Sequence, residues 1–154
     1  MVGGQVRDLA SAGKIPGATG SGTLGELETT HELKTGALFE AGVQLGLLTA
    51  QGERPGGPDR ATQSALNDYA RCFGLAFQIT DDLLDVEGDA KVTGKRVGKD
   101  APKGKLTFPG FLGVDESRNR VRQLCEQAEA AIRPLGPSAE PLAALVRMLV
   151  ERDH

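Results

Sequence analysis

The chain reads as an all-α protein, a helix bundle, and three observations lead there. Apolar residues recur at three- and four-residue spacing over most of its length. No segment alternates convincingly between apolar and polar residues as a strand would. The breaks between periodic stretches are marked by clusters of glycine and proline. A short helix near Gln5 to Ala12 opens the chain, and the glycine-rich stretch Gly13 to Gly25 follows as a loop. Glu26 to Ala50 forms one helix, with a stripe of Leu33, Ala37, Ala41, Leu45 and Leu48. The stretch Gly52 to Pro58 breaks it. Arg60 to Val86 forms the next, with Leu66, Tyr69, Phe73, Phe77 and Leu84 on one side. Asp115 to Arg133 and Glu140 to Val150 complete the set, with Asp115 as an N-cap and Pro134 and Pro137 between the two helices.

Size and composition narrow the function. A chain of 154 residues suits one domain. With 18 basic and 21 acidic residues it carries a net charge of −3, which argues against a nucleic-acid binder held by bulk charge. No apolar run reaches the length of a membrane span, and the start does not read as a signal peptide. Cys72 and Cys125 lie far apart, without the spacing of a zinc site or a disulfide framework, so a reducing cytoplasm is the expected location.

The sharpest chemical feature is Phe77-Gln78-Ile79-Thr80-Asp81-Asp82-Leu83-Leu84-Asp85. Asp81 and Asp85 are four apart and share a helix face, in line with Phe73 and Phe77. Like charges at this spacing repel, so a cation is expected between them. Hard oxygen ligands suit Mg²⁺, which takes one or two carboxylates and completes its shell with water and phosphate oxygens. A triplet of this pattern arises by chance in about 4% of chains of this composition, and acidic triplets on helices are usually solvated surface. The motif therefore needs company.

Company is present. Lys34-Thr35-Gly36 lies in the first long helix, with Lys34 in register with Ala37, Ala41 and Leu45. A lysine there is either a snorkelling surface residue or a phosphate ligand, with Thr35 as a neighbouring hydroxyl donor. After the acidic triplet come Thr93-Gly94-Lys95-Arg96, Lys99-Asp100 and Gly104-Lys105. Basic groups following a metal site suit the phosphates that the metal bridges. No GxxxxGK[ST] phosphate loop occurs.

Taken in order, five blocks resemble the C-terminal part of a trans-isoprenyl diphosphate synthase of the farnesyl diphosphate synthase (geranyltranstransferase) type. They are Gly3-Gly4-Gln5 with Asp8-Leu9; Lys34-Thr35-Gly36; Phe77-Gln78 with Asp81-Asp82-Leu83-Leu84-Asp85; Thr93-Gly94-Lys95; and Gly98-Lys99-Asp100 leading to Gly104-Lys105 and Thr107-Phe108-Pro109. The resemblance implies a partial polyprenyl synthetase domain over 1–154 that uses Mg²⁺. Its activity would be the alkylation of isopentenyl diphosphate by the carbocation of an allylic diphosphate. It implies Asp81 as the principal metal ligand, with Asp82 and Asp85 supporting it. Lys34 and Lys95 would bind the allylic diphosphate, and Lys105 would add charge nearby. Thr35 and Gln5 would line the place where the carbocation forms, and Gln78 would orient that shell. The same blocks occur in longer-chain synthases. A terpene cyclase, the neighbouring chemistry, carries an Asn/Ser/Glu pattern in place of this second motif.

The departure from the family pattern is large. Its first aspartate-rich motif and its isopentenyl diphosphate site have no counterpart here. Met1 stands where the family often has an internal methionine, so the sequence reads as a piece of a longer synthase. The expected partners are a second copy or a chain supplying the missing half, because helices cut from their neighbours expose apolar faces. A non-catalytic diphosphate-binding subunit and an inactive fragment are the alternatives. Four further residues read plainly: His31 as a solvated side chain, His154 without metal-ligand company, Cys72 as core, and Cys125 as a helix residue without a catalytic partner.

Overall fold

The longest periodic stretch supplies the axis of the fold. In the computed structural model, which describes residues 2–11, 22–52, 56–93 and 106–151, the helix α4 runs Arg60–Thr93. Before it come α1 (Val2–Ser11), α2 (Leu24–His31), a π-helical turn (Glu32–Gly36) and α3 (Ala37–Gln51). After it come α5 (Phe108–Leu112), α6 (Val114–Ile132), a 3₁₀ stretch (Arg133–Ala139) and α7 (Glu140–Glu151). No strand forms among the described residues. The protein is all-α, as the periodicity requires.

The core lies between α4 and α6. On α6, Ser117, Val121, Leu124, Ala128 and Ile132 recur at helical spacing, and all are buried. They meet Leu66, Tyr69, Cys72, Ala76, Ile79 and Leu83 of α4. The Tyr69 hydroxyl donates to the Leu142 carbonyl at 3.0 Å and so ties α7 to α4. Burial pushes the Tyr69 phenol up to about 12, with the nearby Cys125 adding to the rise. Cys72 is core, as its apolar neighbours suggested, and burial also raises its thiol above the ordinary value. Cys125 is buried too.

Helix starts follow local chemistry, and three differ from the sequence-based expectation, α1 beginning at Val2 rather than near Gln5. α2 begins two residues before Glu26, because Thr23 and Glu26 form a reciprocal capping box. At α6 the N-cap is Gly113, at φ +82, and Asp115 sits inside the first turn rather than at the cap. There it still complements the positive end of the helix. At α4 the cap is Asp59, whose carboxylate accepts from the Thr62 hydroxyl and from the Thr62 N–H. Those bonds hold the Asp59 carboxyl below its usual range. α4 also continues past Val86 to Thr93. Between α6 and α7, Gly136 takes φ +65 and supplies the kink that Pro134 and Pro137 announced.

The largest correction concerns Glu26 to Ala50. It is not one helix, because the π turn at Glu32–Gly36 interrupts it, with the Ala37 N–H donating to the Glu32 carbonyl five residues back. The expected core stripe of α3 also faces out: Leu45 is 65% exposed and Leu48 is 57% exposed. The face that packs on α4 is instead Phe39, Val43 and Leu47. Phe39 meets the ring of Phe73 edge-on at 5.1 Å and that of Phe77 at 5.5 Å. α3 thus has two apolar faces, and spacing alone could not choose between them.

Candidate functional site

The acidic segment emerges from the core as α4 climbs. Phe73 is buried, Phe77 is half-buried, and Asp81 and Asp85 are exposed, all at four-residue spacing on one side. Asp82 points elsewhere. It is only 2% exposed, and its Oδ2 accepts from the Phe108 backbone N–H at 3.1 Å. The three carboxylates therefore split into an exposed pair and an inward one. Gln78, one turn below Asp82, is buried at the edge of the core.

Lys34 and Thr35 lie in the π turn and are half-buried. Two close backbone approaches hold that turn. A Cβ added at Gly4 would come within 2.3 Å of the Lys34 nitrogen, so α1 docks directly on the turn's backbone. A Cβ added at Gly74 of α4 would meet the Gly36 Cα at 3.2 Å. Only glycine allows these contacts without displacement. Gln5, adjacent to Gly4, is exposed on α1. The structure brings the Lys34-Thr35-Gly36 turn against both α1 and α4. Lys95 and Lys105, the remaining expected phosphate ligands, lie outside the described residues.

His31 immediately precedes the turn, and it is not solvated as its position on a polar helix suggested. It is 6% exposed and stacks on Phe108 at 5.7 Å between ring centroids. Its Nε2 lies 3.6 Å from Asp82 Oδ2. The sequence offered one signal for Gly74, a lone glycine inside a buried helical run, which often marks close approach of another backbone. It offered none for His31, because the residues that cover it come from α4 and α5.

The donor chemistry can be tested against Mg²⁺. Among the described residues no three His, Cys, Asp or Glu side chains converge as a metal cage. Asp81 and Asp85 nevertheless offer two hard-oxygen carboxylates on an exposed face. That suits a Mg²⁺ ion whose shell is finished by water and phosphate oxygens, and not a closed protein site. A separate cleft of about 410 Å³ opens between the turn, α3 and α4, lined in part by Glu32, Glu40, Asp68 and Arg71. Its three carboxylates face one guanidinium, the wrong balance for an anion.

An all-α chain with an acidic face on its long helix and a lysine-bearing π turn beside it defines a narrow class, and comparison with known proteins specifies it. The family profile described as Polyprenyl synthetase matches residues 1–135, and the chain belongs to that family. It is 39% identical over 157 residues to the farnesyl diphosphate synthase of Escherichia coli (strain K12), covering 99% of this chain and 48% of that protein. It is 41% identical over 157 residues to geranylgeranyl pyrophosphate synthase 11, chloroplastic, of Arabidopsis thaliana, covering 100% of this chain and 41% of that protein. Among solved structures, the apo FPP/GFPP synthase of Zymomonas mobilis superposes with a TM-score of 0.75 at 33% identity, covering 97% of this chain and 45% of that one. The chain thus spans less than half the length of these relatives. Among the described residues no helix is long and apolar enough to cross a membrane.

Proposed function

We propose that this chain is the diphosphate-binding part of a cytoplasmic prenyltransferase that joins isopentenyl diphosphate to an allylic diphosphate. One observation carries the reading: the exposed pair Asp81 and Asp85 shares helix α4 with Gly74, against which the Lys34-Thr35-Gly36 turn packs. An acidic face and a lysine-bearing turn on one scaffold suit a Mg²⁺-bridged diphosphate. The similarity to farnesyl and geranylgeranyl diphosphate synthases supports the substrate class.

The roles follow from the chemistry of each group. Asp81, with Asp85 one turn away, would hold Mg²⁺, which when bound stabilises the negative charge of a departing diphosphate. Lys34 would pair with the diphosphate oxygens, joined by Lys95 and Lys105. Thr35 and Gln5 would sit at the carbocation, and Gln78 would orient that shell from its buried position. Residues 1–154 would form the C-terminal helices of a polyprenyl synthetase domain. The second apolar face of α3 supports association with the N-terminal helices of such a domain, or with a second copy.

A non-catalytic diphosphate-binding subunit is the second reading, since Asp81 and Asp85 on one exposed face suffice to bind a Mg²⁺-diphosphate without turnover. Calorimetric titration with an allylic diphosphate in the presence of Mg²⁺ tests the shared core of both. Asp81→Ala should weaken binding about tenfold or more, the loss expected for a charge-assisted contact. Unchanged affinity would remove Asp81 from the site. Turnover with isopentenyl diphosphate then separates the two readings.

A further inference from the structure

The inward turn of Asp82 calls for its own explanation. A carboxylate that is 2% exposed leaves little room for the water and phosphate oxygens of a Mg²⁺ shell. Its neighbour Asp81 is rotated by about 100° on the same helix and is exposed. Burying a carboxylate is costly unless it is hydrogen-bonded. Asp82 accepts from Phe108 N–H, at the first residue of α5. The same Oδ2 faces His31 Nε2 at 3.6 Å, about half an ångström outside hydrogen-bond range. The imidazole is in turn pressed flat against the Phe108 ring, at an interplanar angle of 18°. Among the described residues, three segments thus meet at this buried carboxylate: α4, the start of α5, and the residue that leads into the Lys34-Thr35 turn.

The geometry points to Asp82 and His31 as positioning residues, a clasp that holds the Lys34-Thr35 turn and the start of α5 against the helix bearing Asp81 and Asp85. This inference rests on the diphosphate reading above and assigns Asp82 a different task from Asp81. Among the described residues, two ties run from the ends of the turn to α4. The entry is held through His31 and Asp82, and the exit through Gly36 against Gly74. Lys34 lies between them. Both ring nitrogens of His31 lack a hydrogen-bond partner, although the ring is buried. A group buried at that cost is expected to matter to position rather than to stability alone.

The Asp→Asn substitution separates a clasp from a ligand. An asparagine at 82 with its oxygen in the Oδ2 place still accepts from Phe108 N–H and still faces His31 Nε2 with a polar atom. It loses the charge that a metal ligand requires. The full chain is titrated with Mg²⁺ and inorganic pyrophosphate, and exchange of the Phe108 amide is followed in parallel. Asp82→Ala should weaken binding about tenfold and deprotect the Phe108 amide. Asp82→Asn should stay within about threefold of the parent and keep the amide protected, whereas Asp81→Asn should lose about tenfold with the amide still protected. His31→Phe keeps the ring stack and loses the polar partner, so it should weaken binding several-fold.

Equal losses for Asp82→Asn and Asp81→Asn would mean that the Asp82 charge acts at the metal, and would overturn the clasp. Parent-like binding by Asp82→Ala would overturn it while leaving the diphosphate reading intact. Parent-like binding by His31→Phe would remove His31 from the assignment. Failure of the parent chain to bind pyrophosphate at all would sink the underlying reading, and the clasp with it. Should Asp82→Ala not fold, the comparison of the two asparagine variants decides.

Discussion

The two sides of α4 carry similar apolar sequences and end in different states. On one side α6 and α7 cover it, and Tyr69, Ile79, Leu83, Val121, Ile132 and Val146 are almost wholly buried. On the other side α3 packs through Phe39, Val43 and Leu47, while Leu38, Leu45 and Leu48 turn outward. Val2 and Val6 of α1 are exposed as well. The difference shows that one side is a finished core and the other a single layer with an uncovered back. Helix α3 thus buries one apolar face and exposes another.

The finished side should be the costlier one to damage. Phe108 is fully buried beneath α6 and stacked on His31, so Phe108→Ala should cost about 3–5 kcal/mol of unfolding free energy in urea titration. A loss below about 1 kcal/mol would mean that this side is not the stabilising core.

The next largest effect is a pH dependence. The Tyr69 phenol is raised to about 12 by burial and by Cys125, against an ordinary value of 10.0. Between those values the unfolded chain releases the proton and the folded one keeps it. Stability from this group is therefore complete below pH 10, and it is lost as pH rises from there toward 12. Denaturation midpoints of the parent and Tyr69→Phe should converge across that window. A constant gap between the two curves would contradict the assignment.

The smallest expected effect lies on the uncovered side. Leu45→Ser with Leu48→Ser removes two exposed leucines and should change unfolding free energy by no more than about 0.5 kcal/mol per site. It should also shift sedimentation toward smaller species. A large destabilisation would show that the back of α3 is covered by something within the folded chain.

Legibility differed from element to element, for physical reasons. The helices were readable because periodic apolar spacing is a local property, as in Leu66, Tyr69 and Phe73. The end of α4 was not, because polar residues past Val86 carry no apolar stripe. The cap at Asp115 was misplaced because Gly113 leaves no side-chain signal. The face of α3 was misread because two stripes compete on one helix, and only the rings of Phe73 and Phe77 select Phe39. In the site, the pairing of Asp81 with Asp85 followed from helix geometry alone. The burial of His31 and Asp82 did not, since their partners are distant in sequence.

By itself the sequence determined the all-α class, the shared helix face of Asp81 and Asp85, and the family. Each of these depends on residue types at short, regular spacing. Only the tertiary structure decided the π turn, the grip of Gly4 and Gly74 on its backbone, and the inward turn of Asp82. Those depend on what another helix places within a few ångströms, and apart from the lone glycine at 74 no local pattern points to such contacts.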